Sequence, residues 1–265
     1  AAGQCSHGLE RESSSTGVAG ISRSWGHHTH TWHADGRVVG FGENRGGELG
    51  VGSVTLAAGG RELPGFNLLG TAPTSTSVFF VDFESPVPGE VSPGTATRVP
   101  VQGFAGLGPA AAPFAGQFLR SETGNVVTVT LTNLPPHRAI SLAFLFAAID
   151  SLDGAGTFPA GDYFRITLDD VVIFREAFAN ATASQVQTYL APPDVELARR
   201  VDLGFGGPGG FYTDSAYDLG ADPRFAHIPH TASTATFTFR IEGAGIQDIS
   251  DESWAMDNLR VSVDP

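Results

Sequence analysis

Residues 125–134 read NVVTVTLTNL, with Val127, Val129 and Leu131 on one face of an extended chain and Thr128, Thr130 and Thr132 on the other. A period of two, with β-branched residues throughout, specifies a strand with one buried and one wetted face. The same pattern continues on both sides. Ser77 to Phe83 is apolar, and Ile140, Leu142, Phe144 and Phe146 keep the period. Phe164, Ile166 and Leu168 repeat it, and Val172 and Phe174 follow a turn at Asp169-Asp170. Ala235, Phe237, Phe239 and Ile241 oppose Thr234, Thr236, Thr238 and Arg240, and Leu259, Val261 and Val263 oppose Arg260 and Ser262. Polar Thr faces point to antiparallel sheets with a solvated side. About eight to ten such strands predict an all-β chain built as a jelly-roll-like antiparallel β-sandwich. One short helix is expected, over 183–190 or 194–199.

Composition agrees with many short strands and frequent turns: 34 Gly and 17 Pro in 265 residues, with 16% charged residues. The net charge of −13 excludes nucleic acid as a partner. No apolar run is long enough to insert in a membrane. Cys5 is the one cysteine, so no intrachain disulfide forms. All basic residues are Arg. The opening Ala1-Ala2-Gly3 resembles a mature end left by signal-peptide cleavage, which leads to the expectation of a secreted, extracellular or cell-surface protein.

Three segments are expected: an N-terminal β-hairpin segment (1–55), a Gly/Pro-rich connector (56–76) and the sandwich (77–265). In the first, His28 to His33 and Arg37 to Phe41 read as paired strands around Asp35-Gly36. Gly26-His27-His28-Thr29, Ala34 to Val39 and Gly42-Glu43-Asn44-Arg45-Gly46-Gly47-Glu48-Leu49-Gly50 resemble one repeat of the regulator of chromosome condensation propeller family. Glu48 stands where that family has Gln, and Phe41 where it has Trp. One such unit cannot bury its own apolar face. Residues 1–55 are therefore expected to dock on the sandwich or to self-associate with identical chains. Of His27, His28, His30 and His33, a strand aligns only two on a face, which makes a weak metal site.

Acidic residues gather at strand ends: Asp82-Phe83-Glu84, then Asp150 and Asp153 with Gly161-Asp162, then Asp251-Glu252 and Asp257. Carboxylate oxygens suit a hard cation. The expected cofactor is Ca2+, held by some of Glu84, Asp150, Asp153, Glu252 and Asp257. The competing reading is that these carboxylates cap turns through backbone N–H groups. For a ligand, the aromatic and Gly-rich run 205–217 and the last strand offer Phe211, Tyr212, Tyr217 and Trp254, whose rings could stack on sugars. Asn180-Ala181-Thr182 fits a glycosylation sequon.

The acidic motifs also carry a resemblance. DFE at Asp82 to Glu84, NLPPH at Asn133 to His137, IDSLDG at Ile149 to Gly154, GDYFRITLDD at Gly161 to Asp170 and DESWAMDNLRV at Asp251 to Val261 are similar to a module of secreted bacterial proteins, many with a sorting tail of the PEP-CTERM kind. Leu152 replaces a frequent Trp and Ala255 a Gly. Phe83-Glu84 with Asp257 also resembles the pairing by which jelly-roll carbohydrate-binding modules hold a structural Ca2+ between first and last strands.

No nucleophile elbow, HExxH or phosphate loop occurs, so the chain is expected not to be an enzyme. A glycoside hydrolase would need two carboxyl groups flanking a sugar cleft. Two functions remain: an extracellular Ca2+-stabilised adhesive or glycan-binding module, or a structural subunit of a filament or surface layer assembling through its N-terminal segment.

Overall fold

The computed structural model describes residues 75–156, 161–206 and 210–265 in full, and the backbone of four strands between 18 and 67. The chain divides into two compact units, Ala1–Ala72 and Pro73–Pro265. In the first, β1 (Val18–Arg23), β2 (His28–His33), β3 (Arg37–Gly42) and β4 (Ala57–Asn67) pair antiparallel in sequence order. The expected hairpin is the β2–β3 pair. The stretch read as a connector is corrected by β4, which pairs with β3 through two register shifts. Edge pairing uses backbone groups and tolerates Gly and Pro at irregularities, so it leaves no apolar periodicity to read. The side chains of His27, His28, His30 and His33, Trp25, Cys5 and the expected docking of residues 1–55 lie outside the described residues.

The second unit carries β5 (Thr76–Val81), β6 (Val91–Ser92), β7 (Thr97–Pro100), β8 (Gln117–Glu122), β9 (Val127–Thr132), β10 (Ala139–Asp150), β11 (Tyr163–Leu168), β12 (Val171–Ala177), β13 (Glu196–Val201), β14 (Asp214–Asp218), β15 (Ile228–Pro229), β16 (Thr234–Glu242) and β17 (Glu252–Asp264). Two antiparallel sheets form: β13-β14-β10-β17-β8-β7, with β15 on β10 and β5 on β17, and β12-β11-β16-β9-β6. The all-β sandwich is the fold. The expected helix is corrected: residues 183–190 are irregular, and 196–201 are β13. Among the described residues only single 3-10 turns are helical, at Gln102–Phe104, Leu219–Ala221 and Pro223–Phe225.

The alternating residues of the two sheets meet in one core. Phe146 on β10 stacks on Phe164 of β11 with centroids 4.2 Å apart, and Trp254 lies 5.2 Å from Phe164. Fully burying one such side chain contributes about 2–3 kcal/mol. The outer face of β10 is covered as well. Leu145, Ala147 and Ile149 pack with Phe104, Phe114 and Phe118, which explains why the second half of this strand is buried on both faces. The Asp169-Asp170 turn holds both residues at positive φ (48° and 66°), as a two-residue hairpin loop of the primed type requires.

The long last strand is broken functionally at Asn258, whose φ is 51°. Before it, Ser253 to Met256 pair with β8; after it, Leu259 to Val263 pair with β5. The first and last strands of the sandwich are thus neighbours. Asn258 Nδ2 donates to the carbonyls of Ala112 (3.3 Å) and Pro113 (2.9 Å), tying the break to the segment over the outer sheet face.

Candidate metal centre

Three acidic side chains from three separate stretches converge at one end of the sandwich. Asp153 lies in the loop after β10, Asp162 directly precedes β11, and Glu252 begins β17. One carboxylate oxygen of each lies within 4.8 Å of the others. The loop is closed by its own bonds: the Asp153 N–H donates to Asp162 Oδ2 (2.7 Å), and the Asp162 N–H donates to the Gly154 carbonyl (3.1 Å). Gly154 has φ 74°, and a Cβ there would stand 2.5 Å from the Val186 carbonyl oxygen. Only glycine fits that turn. Glu252 Oε2 accepts the Gln247 N–H (3.1 Å), and Asp153 Oδ1 accepts from Gln185 Nε2.

What remains is a set of oxygens without donors. Asp162 and Glu252 are fully buried, and Asp162 Oδ1 and Glu252 Oε1 accept no hydrogen bond. Burial is the largest cause pushing all three carboxyl pKa values up. The charge of Asp251 adds to it at Asp153, that of Asp153 at Asp162, and those of Asp162 and Asp153 at Glu252, where the Asp162 and Glu252 carboxyls are close enough to share a proton. A buried unpaired carboxylate is costly; it must take a proton or a cation. No basic side chain is paired with any of the three among the described residues.

The structure separates the five residues expected to hold Ca2+. Asp153 and Glu252 come together, joined by Asp162, which the sequence placed among the acidic clusters but not in the ligand set. Its signal was position: an Asp after a glycine, immediately before an alternating strand. Asp150 is elsewhere, buried beside Arg120 Nη2 (3.4 Å) and Asp214, with its pKa pushed up to about 7 chiefly by burial and then by Asp214. Glu84 and Asp257 flank another turn. Asp257 Oδ2 accepts the Ala115 N–H (3.3 Å) and Glu84 Oε1 the Gln117 N–H (3.0 Å), which is the turn-capping role. Burial first, then the charges of Glu84 and Asp82, raise the Asp257 pKa to about 7.

The aromatic expectations are corrected in two places. Trp254 and Tyr217 are fully buried. Trp254 faces the inter-sheet core against Phe164 and Phe146, and Tyr217 packs on Phe178 (5.0 Å) with its hydroxyl beside Gln187. Both sit on the inner face of their strands, where ring area is worth most to the core, so neither meets a ligand. Tyr212 is half-buried, and the Asp251 carboxylate beside its hydroxyl raises its pKa. Phe211 is 60% exposed. It borders a cleft of about 510 Å³ lined also by Asp153, Gly156, Thr182, Ser184 and Gln185. The sequon residue Asn180 is buried, its Nδ2 donating to the Ala148 carbonyl and its Oδ1 accepting from Ser215 Oγ.

No protein family and no curated protein matches the sequence. Among solved structures, the chain overlaps a family GH115 4-O-methyl-alpha-glucuronidase at TM-score 0.32 and 11% identity, over 70% of this chain and 17% of that one. It overlaps the catalytic domain of a GH87 alpha-1,3-glucanase at TM-score 0.26 and 18% identity, over 71% and 28% respectively. The Cry4Aa toxin of Bacillus thuringiensis overlaps at TM-score 0.21 and 10% identity, over 90% and 39%. The chain thus spans well under a third of the two enzymes, and overlaps this loose carry no argument about function.

Proposed function

We propose that Pro73–Pro265 is an extracellular, non-catalytic β-sandwich module that Ca2+ stabilises and that serves adhesion or glycan binding. The observation that carries the cation is the pair of donorless buried oxygens, Asp162 Oδ1 and Glu252 Oε1, beside Asp153. An all-carboxylate set favours a hard cation over Zn2+, whose sites usually include nitrogen or sulfur. Ca2+ accepts six to eight oxygens in flexible geometry, which an irregular set of carboxylates from three stretches suits better than the strict octahedron of Mg2+. Location outside the cell rests on the resemblance to secreted bacterial modules.

A non-catalytic role is supported by the burial of two of the three carboxylates. Asp162 and Glu252 are fully buried and close together, while a glycosidase pair stands about 5–9 Å apart across an open sugar cleft. Polysaccharide and ester panels are expected to show no turnover. Turnover that disappears in Glu252→Gln or Glu84→Gln would overturn this.

The test of the cation is thermal. A ligand that binds only the folded state at a hundredfold excess over Kd contributes about 2.7 kcal/mol. For a domain this size that raises Tm by about 5–10 °C. Ca2+ should produce this rise and EGTA reverse it. Unchanged melting in both, with no metal by elemental analysis, means a shared proton neutralises the site instead.

The second reading, a filament or surface-layer subunit, draws on β1 and β4, which end the N-terminal sheet order. Terminal strands present backbone groups to a neighbouring chain. Ordered polymers in electron micrographs would favour it, and monodisperse monomer would reject it.

A further inference from the structure

The centre is closed on two sides and open on one. Asp162 and Glu252 are fully buried, whereas Asp153 is half-buried and is the member that lines the cleft of about 510 Å³. That volume falls in the roughly 300–1,000 Å³ range of small-ligand sites. Each carboxylate already gives one oxygen to an N–H: Asp162 Oδ2 to Asp153, Glu252 Oε2 to Gln247, and Asp153 Oδ1 to Gln185. Three oxygens are left for the cation, which takes about six to eight. The remaining positions are open to backbone carbonyls, water or a ligand, and Asp153 is the member of the centre that borders the cleft.

The cleft's own chemistry selects the ligand. Among the described residues its polar lining is uncharged apart from Asp153: the Thr182 and Ser184 hydroxyls, 2.9 Å apart, and Gln185, whose Oε1 accepts the Thr182 N–H at 2.9 Å. Phe211, 60% exposed, lines the same cleft. Hydroxyls and an amide beside a bare aromatic face suit a molecule with hydroxyl groups on its rim and an apolar C–H face. Three carboxylates against a divalent cation leave one net negative charge, and no Arg is among the described lining residues, so an anionic ligand is disfavoured.

We propose that this cleft binds a neutral glycan unit whose vicinal diol completes the coordination of the cation held by Asp153, Asp162 and Glu252, while its C–H face lies on Phe211. The inference rests on the cation reading above, and its test separates the two. The full chain is loaded with Tb3+ in place of Ca2+, with Trp254 two residues from Glu252 as sensitiser. Luminescence lifetimes in H2O and D2O count bound waters. Methyl glycosides of mannose, galactose, glucose, fucose and glucuronic acid are then added in turn.

At least one neutral glycoside should displace about two waters. Phe211→Ala should weaken that glycoside about tenfold and leave Tb3+ affinity unchanged. Tb3+ binding with no glycoside changing the water count overturns the glycan inference and leaves the cation site standing. Tightest binding by the glucuronide overturns it too. If Tb3+ binds with the same affinity to wild type and to Asp162→Asn, the metal is not in this centre, and the cation reading falls together with the inference.

Discussion

At the residue scale the centre behaves as stored electrostatic cost. Glu252 is fully buried, and its free oxygen faces acidic neighbours. Its folded-state pKa is about 9, so at pH 8 folding must bind a proton there, and the neutral isostere removes that cost. In EGTA at pH 8, Glu252→Gln is therefore expected to melt higher than wild type, by about 3–6 °C if the gain is on the order of 1–2 kcal/mol. The same variant should lose the Ca2+-induced rise. A purely structural carboxylate would give the opposite first result, so calorimetry with and without Ca2+ decides. Trp254 makes a contrasting case: it packs 5.2 Å from Phe164 in the inter-sheet core. Trp254→Ala should cost about 3–5 kcal/mol in urea unfolding regardless of Ca2+.

At the element scale two breaks in regular structure position the chemistry. The loop after β10 turns at Gly154 with φ 74°, where a Cβ would meet the Val186 carbonyl oxygen at 2.5 Å. Gly154→Ala should cost on the order of 2–3 kcal/mol and displace Asp153, so that the Ca2+-induced rise in Tm shrinks as well. Equal Ca2+ shifts in variant and wild type would show that the loop does not set the centre. The second break is Asn258 in β17, left-handed and doubly bonded to Ala112 and Pro113. Asn258→Ala loses both bonds and keeps the strained φ, for about 2–3 kcal/mol in denaturant unfolding, while Asn258→Gly should lose less because glycine accepts that φ freely.

At the scale of the whole molecule the buried carboxylates shape stability against pH. Asp150 and Asp257 have folded-state pKa values of about 7, raised from 3.8. An acid with a raised folded pKa binds its proton more tightly in the native state. Its contribution is full below the unfolded value and is lost as pH rises through about 7. Three units correspond to about 4 kcal/mol for each group as an order of magnitude. The domain in EGTA should therefore be more stable at pH 5.5 than at pH 8. Ca2+ should narrow the gap, because it binds the deprotonated centre and stabilises the high-pH end. A melting temperature in EGTA that climbs from pH 5.5 to 8 would contradict this.

The sequence by itself determined the class of fold, because alternation is local. Val127 to Thr132, Ala235 to Ile241 and Leu259 to Val263 each declare a strand and its inner face from nearest-neighbour geometry alone, and the structure has a strand at each. The Asp169-Asp170 turn was legible for the same reason. The misreadings fell where no period exists. Residues 57–67 form a strand through backbone pairing, and 196–201 became a strand beside β14 although their composition suits a helix. Only the tertiary structure decided which acidic residues meet. Asp153, Asp162 and Glu252 share an end of the sandwich because β10, β11 and β17 begin or finish there, and strand order is a long-range property that no local pattern encodes. It likewise decided that Trp254 and Tyr217 are core residues and Phe211 a surface one, since aromatic chemistry is the same in all three and only burial tells them apart.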